Sequence, residues 1–148
     1  MTSVTTDLTI RKATTVARDV DDAFELFTDR IGTWWPADTH SIGGAEVDVV
    51  FEPRVGGRVY ERAPDGRTSE WATVLAYDRP HRVLLEWRVG TERAPYTEGE
   101  IRFARAAGGT RVELEHRGWD DADGRANYRT GWDPVLVRFV EAAQSVSE

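Results

Sequence analysis

The sequence predicts an α+β domain: an antiparallel sheet that curves around one long C-terminal helix. Two patterns predict it. From Val47 to Arg117, short alternating segments are separated by turn residues, as in a meandering antiparallel sheet. Beyond them Tyr128, Trp132, Val135, Leu136, Phe139, Val140 and Ala143 recur at helical spacing, which makes one continuous apolar helix face. With 40% hydrophobic residues in a chain of 148, there is enough apolar material for one buried core.

The elements follow in order. Residues 1–7 are small and polar and are expected to be frayed, leaving 8–146 as a single domain. Leu8–Val16 reads as a first strand. Asp19 is a helix N-cap with Asp21 and Asp22 in the first turn, where carboxylates favour the helix dipole. Val20, Ala23, Phe24, Phe27 and Ile31 then share a helix face. Trp34 and Trp35 sit between Gly32 and Pro36, in a short turn or loop. Strands follow at Val47–Glu52, Arg58–Arg62, Glu70–Tyr77, Val83–Val89, Thr97–Arg105 and Arg111–Arg117. Their turns carry Gly56-Gly57, Pro64-Asp65-Gly66, Pro80, Pro95 and Gly108-Gly109, residues that suit tight reversals. Pro134 inside the last helix removes a backbone donor and is expected to kink it. The acidic run Asp120–Asp123 suits the N-terminus of that helix better than a calcium loop, because Gly131 stands where a bidentate Glu would be needed.

Period-2 alternation separates two sheet faces. Val83, Leu85 and Trp87, then Gly99, Ile101 and Phe103, then Val112, Leu114 and His116 share the apolar one. Glu86, Arg88, Glu98, Glu100, Arg102, Arg111, Glu113, Glu115 and Arg117 share the other. The charged face reads as solvated cross-strand ion pairs. The apolar face needs a cover, and the C-terminal helix has the area. A straight helix on a curved sheet leaves room between them, and such a space suits an apolar ligand.

Composition excludes several classes. The net charge of −7 disfavours nucleic acid and anionic membranes as partners. Without Cys there is no disulfide or thiolate site. No apolar run reaches 18 residues and the first residues lack a signal-peptide pattern, so the expected location is the cytoplasm. The three His have no metal-ligand spacing, and no phosphate loop or nucleophile elbow occurs. No cofactor is expected.

The ordered pieces AFELFTDRIGTWWP, FEPRVGGRVYER, EWATV, DRPHRVLLEW, TEGEIRF, GGTRVELEHRGW and GWDPVLVRF resemble the activator-of-Hsp90-ATPase-1-like family of the Bet v 1/START-like (SRPBCC) superfamily. The likeness covers residues 8–143. It implies a helix-grip fold with a cavity under the last helix, but no single chemistry.

On that reading the chain binds a small hydrophobic or amphipathic molecule. Trp87, Trp35, Trp71, Phe103, Trp132, Leu136 and Phe139 supply apolar area; His116 and Tyr60 supply polar anchors. Each Trp is equally a core filler. His116 is either a cavity donor or base, or a core-edge histidine bonded to backbone, Trp119 or Tyr128. Glu52 and Arg54 read as a surface pair at a turn. Two other functions are consistent with the resemblance: a cyclase or hydrolase using His116 with Tyr60, and an Hsp90-cochaperone-like interaction module. An exposed sheet edge also offers a pairing surface for a homodimer.

Overall fold

A computed structural model describes residues 9–41, 43–44, 46–88, 96–118 and 122–144, with the backbone alone for 122–130. Residues 1–7, Val89, Pro95, Trp119, Asp120 and the Tyr128 side chain, all part of the sequence expectations, lie outside the described residues.

Seven antiparallel strands form one sheet: β1 (Ile10–Val16), β2 (Asp48–Phe51), β3 (Arg58–Arg62), β4 (Thr68–Asp78), β5 (Arg82–Trp87), β6 (Thr97–Ala106) and β7 (Gly109–Arg117). The order is β1-β7-β6-β5-β4-β3-β2, so only the β1–β7 pairing departs from a simple meander. Helix α1 (Val20–Phe27) and the long helix α2 (Ala122–Gln144) complete the curled half-barrel expected from the sequence. No described helix is long and apolar enough to cross a membrane.

Helix α1 starts as the sequence predicts: the Asp19 side chain accepts from Asp22 N at 2.8 Å, satisfying one orphan donor. It ends earlier than the apolar spacing suggests. Thr28 leaves helical geometry and its hydroxyl donates to Phe24 O at 2.8 Å. A separate 3-10 turn, Ile31–Thr33, then carries Ile31 into the core. Gly32 in this turn lies against the carbonyl of Val49 so closely that any Cβ would collide with it. This close approach presses the following Trp34 and Trp35 against the sheet interior.

Strand β4 contains two irregularities that the sequence did not reveal. Pairing jumps from Val59↔Ala72 to Tyr60↔Glu70, leaving Trp71 as an extra residue. It jumps again between Val74 and Ala76, leaving Leu75 extra. Bulges of this kind bend a strand and re-aim side chains. Here they curl the sheet, so that Trp71, Ala72 and Val74 are all buried while Leu75 is exposed.

Helix α2 crosses the concave face with Trp132, Val135, Phe139 and Ala143 buried, as the apolar periodicity requires. Several long-range contacts among the described residues hold it. Lys12 Nζ meets Asp133 at 2.7 Å, Arg18 Nε donates to Ala143 O at 2.9 Å, and His40 Nε2 lies 2.9 Å from Gly131 O. Arg18 thereby satisfies a carbonyl that the helix C-terminus leaves open. A carbonyl only accepts, so His40 Nε2 carries the hydrogen in that bond.

The convex face is the expected lattice of Glu and Arg. At its centre Glu100 is buried and bonded by Arg82, Arg102 and Arg117. Burial pushes its carboxyl pKa up, but the hydrogen bonds from Arg82 and Arg117 and the charge of Arg102 outweigh that and hold it below the usual range. Glu52 accepts from both Arg58 N and Arg58 Nε across the β2–β3 turn, so this residue orders a hairpin at the surface.

Candidate functional site

The concave face gathers most of the predicted residues into a cluster of rings. Trp35 and Trp71 have ring centroids 5.0 Å apart, Trp71 and Trp87 6.3 Å, Trp87 and Trp132 5.5 Å, and Trp132 and Trp35 6.3 Å. Four indoles thus close a circuit at distances typical of tilted and edge-to-face contact. They come from the segment after α1, the β4 bulge, the end of β5 and helix α2. His116 on β7 touches two of them, Trp87 at 6.1 Å and Trp132 at 5.9 Å.

Three of the indole N–H groups are tied to the frame. Trp35 donates to His40 O at 2.7 Å, Trp71 to Glu61 Oε1 at 2.8 Å and Trp132 to His116 Nδ1 at 3.0 Å. These bonds fix the orientation of the three rings. Trp35 is the only one of the four that is partly exposed.

His116 is 0% exposed. An indole N–H can only donate, so Nδ1 is an acceptor and Nε2 carries the ring hydrogen. Nε2 lies 2.7 Å from Thr97 Oγ1 and donates to it. Burial lowers the imidazole pKa to about 3, so the ring is neutral at physiological pH.

The remaining predicted residues sort differently. Phe103 and Phe139 belong to a neighbouring phenyl core with Phe24, Phe27 and Trp34, where centroids lie 5.1–5.8 Å apart. Leu136 is partly buried at the margin of the core. Tyr60 is placed elsewhere. It pairs with Val50 and Glu70, while its neighbours Val59 and Glu61 turn to the concave side. Arg58 stacks over its ring at 4.5 Å and Arg62 Nη2 donates to its hydroxyl at 2.9 Å. The expected pairing of His116 with Tyr60 in one cavity is therefore corrected: they stand on opposite faces, because the strand alternation and two arginines hold Tyr60 outward.

Glu61 and Thr97 were not singled out from the sequence. Glu61 is 2% exposed and accepts from Trp71 Nε1 and, at 2.6 Å, from Gly43 N. Nothing local could have found it, because RVYER carries large side chains on both faces. Thr97 could have been found, since it precedes Gly99 and Ile101 by one and two strand repeats on the apolar face. A Glu61→Gln variant offers one acceptor where two donors converge, and its amide would face an N–H. It is expected to lose about 1–3 kcal/mol in urea unfolding. An unchanged midpoint would mean that the carboxylate does not hold Trp71.

A shallow depression of about 500 Å³ lies at the foot of α1, lined by Arg18, Asp19, Val20 and Arg105 among others. Its Asp19 caps α1 and its Arg18 caps α2, so both are committed to structure.

Among solved structures the chain is similar to an anthrahydroquino-gamma-pyrone synthase, Txn09, at 35% identity, covering 90% of this chain and 95% of that one with a TM-score of 0.64. The Aha1 dimer from Colwellia psychrerythraea shares the fold at 17% identity and TM-score 0.71, covering 92% and 96%. DynU16, from the dynemicin biosynthetic locus, does so at 18% identity and TM-score 0.71, covering 95% of this chain and 48% of that one. No protein with a curated description matches. The family model for activator of Hsp90 ATPase homolog 1-like protein matches residues 17–144. The chain belongs to that family, within the SRPBCC superfamily.

Proposed function

We propose that the protein binds a small, flat, hydrophobic molecule between the concave sheet and helix α2. The observation that carries this reading is the circuit of four indoles with a neutral, buried imidazole beside it. Such walls offer π faces and apolar area and no fixed charge at His116, which suits a planar apolar guest. The frame bonds of Trp35, Trp71 and Trp132 pre-organise those faces, which lowers the ordering cost of binding.

Native mass spectrometry of the purified protein, followed by organic extraction, tests this. A defined aromatic or otherwise apolar molecule at near one per chain is the expected result. A protein that carries nothing and binds no flat aromatic probe would sink the reading.

The 35% identity to Txn09 favours a second reading, a ring-closing enzyme acting in the same place. In this chain His116 is a poor general base, because its Nδ1 is already occupied by Trp132 and burial disfavours its protonation. Ring closure here would rest on holding the substrate in a reactive fold, not on proton removal by His116. A ligand recovered unchanged after incubation supports binding; one recovered as a cyclised product supports the enzyme. The Colwellia relative is described as a dimer; edge strands β1 and β2 are where a second copy of this chain would pair.

A further inference from the structure

The hydrogen-bond line Trp132–His116–Thr97 runs in one direction only. The indole donates to Nδ1, so Nε2–H donates to Thr97 Oγ1. The Thr97 oxygen is thereby used as an acceptor, and its own hydrogen is left over. Among the described residues no acceptor takes that hydrogen, although Thr97 is only 5% exposed. A buried hydroxyl with an unmade bond is costly.

Among the described residues, room is left next to it. Gly99 is buried two residues along β6 on the same face, and a Cβ built there would meet nothing within 4 Å among the described residues. Its cross-strand neighbours are Leu85 and His116, and Thr97 stands opposite Trp87. A glycine in mid-strand between larger neighbours marks a place where something else approaches the backbone.

We propose that Thr97 is a ligand-binding residue that donates a hydrogen bond to a carbonyl oxygen on the edge of a flat polycyclic ligand, whose rings lie over Gly99 beside Trp87. The ligand class is an aromatic ketone or quinone. Among the described residues the place supplies one donor and no acceptor, since both His116 nitrogens are committed. An amine or ammonium group, which needs acceptors, finds none among them. A carboxylate would be buried beside Leu85, Trp87 and a neutral imidazole, with no cation among the described residues to offset it. This inference rests on the binding reading above and names its ligand chemistry.

The test uses two tricyclic probes of one shape, 9-fluorenone and fluorene, which differ by the carbonyl. Affinities are measured by tryptophan fluorescence and calorimetry for the wild-type chain and for Thr97→Val, Thr97→Ser and Gly99→Val. The wild-type chain and Thr97→Ser are expected to prefer fluorenone about fivefold, the size of one buried hydrogen bond. Thr97→Val should bind the two probes equally, with fluorene affinity unchanged. Gly99→Val suits a strand and fills the space, so it should fold and weaken both probes at least tenfold, and it keeps the test decisive if Thr97→Val does not fold. Equal binding of the two probes by the wild-type chain, or a fluorenone preference that survives Thr97→Val, overturns the role of Thr97. Unchanged affinities in Gly99→Val overturn the placement. Failure of the wild-type chain to bind either probe overturns the binding reading, and this proposal with it.

Discussion

Lowering the pH from 7 to 4.5 is expected to cost the fold about 2.5 kcal/mol through His116 alone. Burial holds the folded-state pKa at about 3, against 6.5 for an exposed imidazole. Between those values the unfolded chain binds the proton and the folded one does not. The stability that His116 contributes is therefore complete above about pH 6.5 and drains away as pH falls toward 3. Geometry gives the same sign: a protonated Nδ1 could no longer accept from Trp132 Nε1.

His116→Gln isolates this effect. A glutamine amide can accept from the indole and donate to Thr97 Oγ1, yet it does not titrate. Carboxylates such as Glu52 and Glu100, whose pKa values are lowered in the folded state, also weaken the fold in acid. They do so equally in both proteins, so the difference between the two denaturation curves belongs to His116. If wild type and His116→Gln lose the same stability between pH 7 and 4.5, the imidazole is not buried in its neutral form.

Replacing Phe139 with Ala is expected to cost about 3–5 kcal/mol. The ring is 0% exposed and sits 5.1 Å from Phe27 and 5.3 Å from Trp34, where α1, α2 and the sheet meet. Truncation removes apolar area and leaves a cavity that three packed elements cannot close. Trp34 also neighbours Trp35 at 6.0 Å, so probe binding at the indole circuit should weaken as well. Val137 is two residues earlier and 57% exposed, and Val137→Ala should stay within about 0.5 kcal/mol. Urea unfolding of both variants checks the contrast. Similar small losses in each would mean that α2 does not bury Phe139 in the core.

The sequence was most legible where strands are regular and their two faces differ in polarity. On β5, β6 and β7, Leu85, Trp87, Ile101, Phe103, Leu114 and His116 point inward as alternation requires. On α2 the 3.6-residue period selects Trp132, Val135 and Phe139. These assignments follow from local backbone geometry, the pleat and the helical turn, which is written into the order of residues along the chain.

Where the backbone breaks its own period, local order misleads. Strict alternation along β4 would put Trp71 on the face of Thr73 and Leu75, yet the bulge opposite Val59 and Tyr60 turns it inward. Tyr60 looked as suitable for the interior as Glu61, and only the strands on either side of β3 decide between them. By itself the sequence determined the element order, the two faces of the regular strands, the covering helix and most of the aromatic residues beneath it. Only the tertiary structure decided that four indoles close a circuit, that Glu61 faces the concave side while Tyr60 faces the other, and that Trp132, His116 and Thr97 form one directed line. Bulges depend on how two strands pair, and that line joins α2, β7 and β6, so each exists only once the sheet has closed around the helix.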